Sequence, residues 1–129
     1  MSLVRTQNRI VKQIKIHRKI KLDQHMLLAE YPEGSGNMFS ISTESQDNWS
    51  KLSTLDSRGL VSYPFVVTTH DERSGVSLAN SAELTAAITA IGTAVLNERA
   101  LCAAFIADVL AAGDEAAAHA VAAPYLVWT

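Results

Sequence analysis

The stretch NSAELTAAITAIGTAVLNERALCAAFIADVLAA, residues 80–112, decides how the rest of the chain is read. Leu84, Ile88, Ile91 and Val95 step by four, three and four. Cys102, Phe105, Ile106 and Val109 continue that face after a polar interruption at Asn97, Glu98 and Arg99. Apolar residues at this spacing fall on one side of a 3.6-residue helix. Asn80 supplies a side-chain oxygen for the free amides at the start, Glu83 can reach back, and Gly113 ends the helix. At about 1.5 Å per residue such a helix is roughly 48 Å long. The rest of so small a chain is too short to cover it, which predicts that a partner covers part.

With 129 residues, one domain with an appended arm is the expectation. Much of the hydrophobic content is alanine and aromatics are only 6%, so the core is shallow for the length. A lone cysteine, Cys102, excludes an internal disulfide and a thiolate metal cluster, and it reads as a small packed hydrophobe. No apolar run reaches the roughly 18 residues of a membrane span. The opening MSLVRTQNRIVKQIK has no apolar signal core, so a soluble chain not exported by a signal peptide is expected.

Charge is unevenly placed. Residues 1–22 hold seven of the eleven lysines and arginines and no acid, which makes +7. The remainder holds four basic and thirteen acidic residues, which makes −9. This predicts three parts: a basic arm over 1–22, an α+β domain over 23–123 and an apolar tail over 124–129. The arm has two readings. Ile14, Ile16, Ile20 and Leu22 alternate with charged residues as a half-buried strand would, while Ile10 and Ile14 suit a helix with Arg5, Arg9 and Lys12 outside. The favoured expectation is an irregular or helical start and then a strand from about Gln13 to Leu22. Lysines on a strand edge deter stray pairing. They also suit docking on an acidic protein surface. Nucleic acid is the weaker partner, because the arm has no aromatic to stack on a base.

Met26–Tyr31 and Met38–Ile41, joined by Pro32–Asn37, read as a hairpin. Its glycines do not make a phosphate loop, since no GK[ST] ending follows. A helix begins at Ser42 or Thr43, with Thr43 and Gln46 as a capping box, Trp49, Leu52 and Leu55 on its buried face, and Arg58-Gly59 at its end. Pro64–Thr69 and Val76–Leu78 read as a second hairpin around the polar turn His70–Gly75. Asp114–Ala123 reads as a short helix stopped by Pro124, before the apolar tail Tyr125–Trp128. The four histidines are scattered without metal spacing, and no nucleophile elbow, P-loop, HExxH or dinucleotide loop occurs. No enzyme activity, cofactor or metal is therefore expected.

From Tyr31 onward, YPEGSGNMFSISTESQDNWSKL and then YPFVVTTHDERSGVSLANSAELTAAI, followed by a long and then an alanine-rich helix, resemble a domain of unknown function found in tailed bacteriophages. That domain occurs within tail-fibre proteins or beside them. The matching residues are Ser42, Glu44, Gln46, Asn48 and Trp49, then Val76, Leu78, Glu83 and Leu84, within about residues 26–123. The resemblance implies a virion or assembly role, with no active residues to carry over.

The expected fold is α+β: small antiparallel hairpins packed on one long C-terminal helix, with shorter helices around it. The expected function is a structural component of a phage tail, a baseplate or tail-fibre connector subunit, located in the virion and assembled in the host bacterial cytoplasm. It would form a homo-oligomer, a trimer or hexamer, and touch other tail proteins. A tail-fibre assembly chaperone is the alternative, and a nucleic-acid-binding module is a weaker one. Contact candidates are Lys12, Lys15 and Lys19 on the arm, Leu84, Ile88, Ile91 and Val95 on the helix, and Tyr125 and Trp128 in the tail.

Overall fold

Asn80 caps the long helix as its position predicts. Its Oδ1 accepts from the Glu83 amide at 3.0 Å, and the Glu83 carboxylate accepts from the Ala79 amide. The computed structural model describes residues 2–127. The elements in order are α1 (Leu3–Asp23), β1 (Leu28–Glu30), β2 (Met38–Ser40), α2 (Thr43–Ser57), β3 (Phe65–Thr68), β4 (Gly75–Leu78), α3 (Ser81–Ala111) and α4 (Glu115–Ala122). The class is α+β, with α3 the longest element at 31 residues. The chain forms two compact units: residues 22–95, and residues up to Lys21 together with those from Leu96 onward.

In the unit over 22–95, β1 and β2 form one antiparallel pair with Ala29 opposite Phe39, and β3 and β4 form another with Val67 opposite Val76. The loop between β1 and β2 is organised by Glu30, whose two carboxylate oxygens accept from the amides of Gly34 and Gly36 at 2.9 and 3.0 Å. Both glycines have φ near +80°, a conformation that costs a side-chain-bearing residue energy. Ala29, Phe39 and Ile41 from the first hairpin, Val67 and Leu78 from the second, and Leu84, Ala87, Ile91 and Val95 from α3 form this unit's core. The helix face expected to need a partner is thus covered here by the chain's own short elements.

The cap of α2 lies one residue earlier than the expected Thr43–Gln46 box. Ser42 Oγ accepts from the Ser45 amide at 3.2 Å, and Gln46 Nε2 donates to the Ile41 carbonyl at 2.8 Å. Trp49 and Leu52 are half-buried and Leu55 is exposed, so the buried face of α2 is shorter than expected.

In the other unit the basic segment is a helix, which corrects the expectation of a strand over Gln13–Leu22. Thr6, Gln7, Ile10, Ile14, His17 and Lys21 are buried, at helical spacing. Ile16, which the alternating pattern would place inside beside Ile14, is 49% exposed. The polar members of the buried face each have a partner. Thr6 Oγ1 donates to Glu115 at 2.8 Å, His17 Nε2 meets the Val127 carbonyl at 3.0 Å, and Lys21 Nζ donates to the Tyr125 carbonyl at 3.1 Å. Gln7 Nε2 lies 3.1–3.2 Å from the carbonyls of Val109, Leu110 and Ala112. Those carbonyls lie at the end of α3, where a helix has no internal donors left. Ile10 and Ile14 pack with Cys102, Val109, Ala118, Ala122 and Tyr125. Asp114 Oδ1 caps α4 by accepting from the Ala117 amide at 2.7 Å.

Replacing Gln7 with Ala leaves the end of α3 without its side-chain donor. The expected loss is about 1–3 kcal/mol of stability. The shift of the urea unfolding midpoint, read by circular dichroism, measures it.

Candidate protein-interaction site

Within the 22–95 unit a cleft of about 580 Å³ opens between α2 and β3. Its helical wall is Ser45, Asn48, Trp49, Leu52 and Leu55. These residues recur at three and four and therefore share one face. Its floor includes Phe39, which meets Trp49 edge-on with ring centroids 6.0 Å apart. The opposite wall takes in every residue from Phe65 to His70. Successive side chains of a strand point to opposite faces. A cleft touching six consecutive residues therefore runs along the strand's edge, not over one face.

Ladder geometry agrees. The Thr69 amide donates to the Ser74 carbonyl at 3.0 Å. Hydrogen-bonded pairs alternate with unbonded ones in an antiparallel ladder. With the observed register, Val67 and Phe65 bond to β4, while the amides and carbonyls of Val66 and Thr68 point outward to the cleft. The same alternation turns the backbone of Met38 and Ser40 outward on β2. The outward edges meet once, where the His70 amide donates to the Met38 carbonyl at 2.9 Å. Past that point no backbone hydrogen bond joins β2 and β3 among the described residues.

The helical wall is fixed at its far end by Asp56. Its carboxylate accepts from the Tyr63 hydroxyl at 2.6 Å and from the Ser81 hydroxyl, tying α2 to the β3 approach and to the start of α3. The Ser81 hydrogen bond, then that of Tyr63, holds the Asp56 carboxyl below its ordinary 3.8. Burial and the Asp56 bond push the Tyr63 phenol up. At the other end the turn expected over His70–Gly75 is present. Asp71 Oδ1 accepts from Thr69 Oγ1 at 2.8 Å and from the Arg73 amide at 3.2 Å, which lowers its carboxyl in that order of effect.

His25 Nδ1 lies 2.7 Å from Ser40 Oγ at the edge of the cleft. That is the spacing of a nucleophile and a base. Ser40 is only 6% exposed, however, and no described carboxylate bonds the other ring nitrogen of His25. No group of three or more His, Cys, Asp or Glu is placed to hold a metal among the described residues. No helix there is long and apolar enough to cross a membrane.

The contact candidates divide sharply. Lys12, Lys15 and Lys19 are exposed on α1 together with Arg5 and Arg9. Leu84, Ile91 and Val95, expected between copies, are instead buried in the chain's own core, and Ile88 is half-buried beside them. Tyr125 is likewise buried, donating to Glu98 at 2.9 Å beneath Lys21 Nζ, which lies 5.0 Å from the ring centroid. Burial, then the Glu98 bond and Cys102, push its phenol far above the ordinary range. Trp128 lies outside the described residues. The unpaired edge at Val66 and Thr68 was missed. The β-branched run marks a strand, but its open side depends on register and on where α2 returns.

No protein-family model matches this chain, and no curated protein or solved structure is significantly similar to it.

Asp56→Asn is expected to destabilise the chain at neutral pH. A carboxyl lowered on folding stabilises above its unfolded value and loses that effect as pH falls through the folded value. The gap in melting temperature between Asp56→Asn and wild type should therefore close below pH 3.8. Scanning calorimetry across pH measures it.

Proposed function

We propose that the chain is a non-enzymatic protein-contact subunit that assembles with copies of itself. One observation carries this reading. The face of α3 away from the core exposes Leu96, Ala100, Ala103, Ala107 and Leu110, with Leu96 at 63% and Leu110 at 53%. The spacing of four, three, four and three is a heptad seam, and small residues at its centre let helices approach closely. Leucines this exposed at both ends of an apolar stripe are the usual mark of an interaction surface. The seam lies on a different face from Leu84, Ile88, Ile91 and Val95.

The setting we propose is a bacteriophage tail, with the chain a baseplate or tail-fibre connector subunit resident in the virion. The sequence resemblance over residues 26–123 supports this, and a trimer or hexamer suits a symmetric tail. The five exposed cations of α1 give the assembled subunit a docking face for an acidic tail protein. A tail-fibre assembly chaperone is separated by mass spectrometry of purified virions, where a resident subunit is present in stoichiometric copies.

Light scattering of the purified chain tests self-association. The expected mass is that of a trimer or hexamer that persists when salt is raised, since the seam is apolar. Leu96→Glu with Leu110→Glu should give a monomer with an unchanged circular dichroism spectrum. Charge reversal at Lys12, Lys15 and Lys19 should leave the mass intact and abolish incorporation into particles. A wild-type monomer overturns the self-association reading.

A further inference from the structure

We infer that the cleft between α2 and β3 binds an extended peptide segment of another protein, which adds as a strand to the open edge of β3. This goes beyond self-association through α3 and does not depend on it. Three observations point to the same occupant.

The first is the backbone. Val66 and Thr68 turn their amides and carbonyls into the cleft, as the register requires, and no hydrogen bond satisfies them among the described residues. An extended chain is the ligand that offers alternating donors and acceptors at matching spacing. The second is the facing wall. Trp49 and Leu52 of α2 sit over Phe39 and leave an apolar trough beside the edge. One face of an added strand would place alternate side chains in it.

The third is charge. Lys51 stands on the rim of α2 and makes no ion pair among the described residues, while Glu72 closes the end of the cleft near the β3–β4 turn. The complementary segment therefore carries apolar residues at alternate positions and one acidic residue facing Lys51, away from Glu72. A helix cannot reach the edge groups of β3, because its own backbone groups are already paired.

The test uses the full chain, immobilised, and a displayed library of random octapeptides, with enriched peptides remade carrying fluorescein. Enrichment of sequences with alternating Val, Ile, Thr or aromatic residues and one acid is expected. Val66→Pro removes an outward amide without touching the bonds to β4, a substitution that edge strands tolerate. It should weaken binding by about tenfold or more, as loss of pairing at the edge implies. Ser77→Pro, on the opposite edge of β4, should leave affinity within about twofold, since its amide faces away from β3. Lys51→Glu should weaken peptides with the acid and strengthen those with lysine in its place.

N-methylation of the peptide supplies a test that needs no variant. Blocking one set of alternate amides should abolish binding and blocking the other should not. The proposal is overturned if no peptide is enriched, if both methylated series bind alike, or if a folded Val66→Pro binds as wild type does. It is also overturned if Val66→Pro breaks a dimer of the chain while no peptide competes, which would make a second copy's β3 the occupant.

Discussion

A single row of positions on α3 supplies the interior of both units. Leu84, Ile88, Ile91 and Val95 serve residues 22–95, and Cys102, Phe105 and Val109 serve the other unit. The row steps by four and three without a break, and the position between its halves is Glu98. A carboxylate on a buried row needs donors, because desolvating it unpaired is costly. Tyr125 gives its hydroxyl at 2.9 Å, and Arg18 Nε stands at 4.0 Å, near enough for charge attraction but too far for a hydrogen bond. That requirement binds three distant parts of the sequence. Arg18 comes from α1, Glu98 from α3, and Tyr125 from the segment after α4. Without Glu98 at this position the buried phenol would lose its carboxylate acceptor and Arg18 its nearest opposite charge.

The sequence was legible where one force acts alone. α3 and both hairpins follow from hydrophobic period and turn composition, and the observed bounds differ from the expected ones by a residue or two. α1 departs from the expected strand because two signals compete. Its inner face includes Thr6, Gln7, His17 and Lys21, which a hydrophobic pattern scores as outside. They are inside because the end of α3 and the segment after α4 present carbonyls, and the start of α4 a carboxylate, that need donors. Polar satisfaction across more than a hundred residues leaves no local trace. The cap of α2 failed for a smaller reason: Ser42 and Thr43 are both good caps, and backbone conformation at Ser42 chose between them.

The candidate sites show a different limit. Amphipathic spacing tells that a face is buried, not what buries it, so Leu84, Ile91 and Val95 were assigned to a partner when the hairpins and α2 suffice. The face that does remain open, Leu96 to Leu110, is disguised by alanines, which carry little hydrophobic signal singly. The edge of β3 is invisible for a stricter reason. Parity along a strand follows from pairing, and pairing follows from the turn His70–Ser74 together with the backbone bond of His70 to Met38.

Charge completes the picture by separating tasks within α1. Two of its seven cations, Arg18 and Lys21, turn inward to Glu98 and Tyr125, and the other five lie on the outer face. The inward pair acts at short range in a shielded setting, where an interaction persists in salt. The outward five lie at the solvent surface, where screening sets in over about 10 Å. Such a face changes the rate and orientation of encounter more than the strength of the final contact. The exposed apolar surface of this unit includes Leu96, Leu101 and Leu110 on α3, with Val4 and Ile16 on α1. The inner side of α1 thus holds its own unit together, while five cations lie among neutral residues such as Val4 and Ile16 on its outer side.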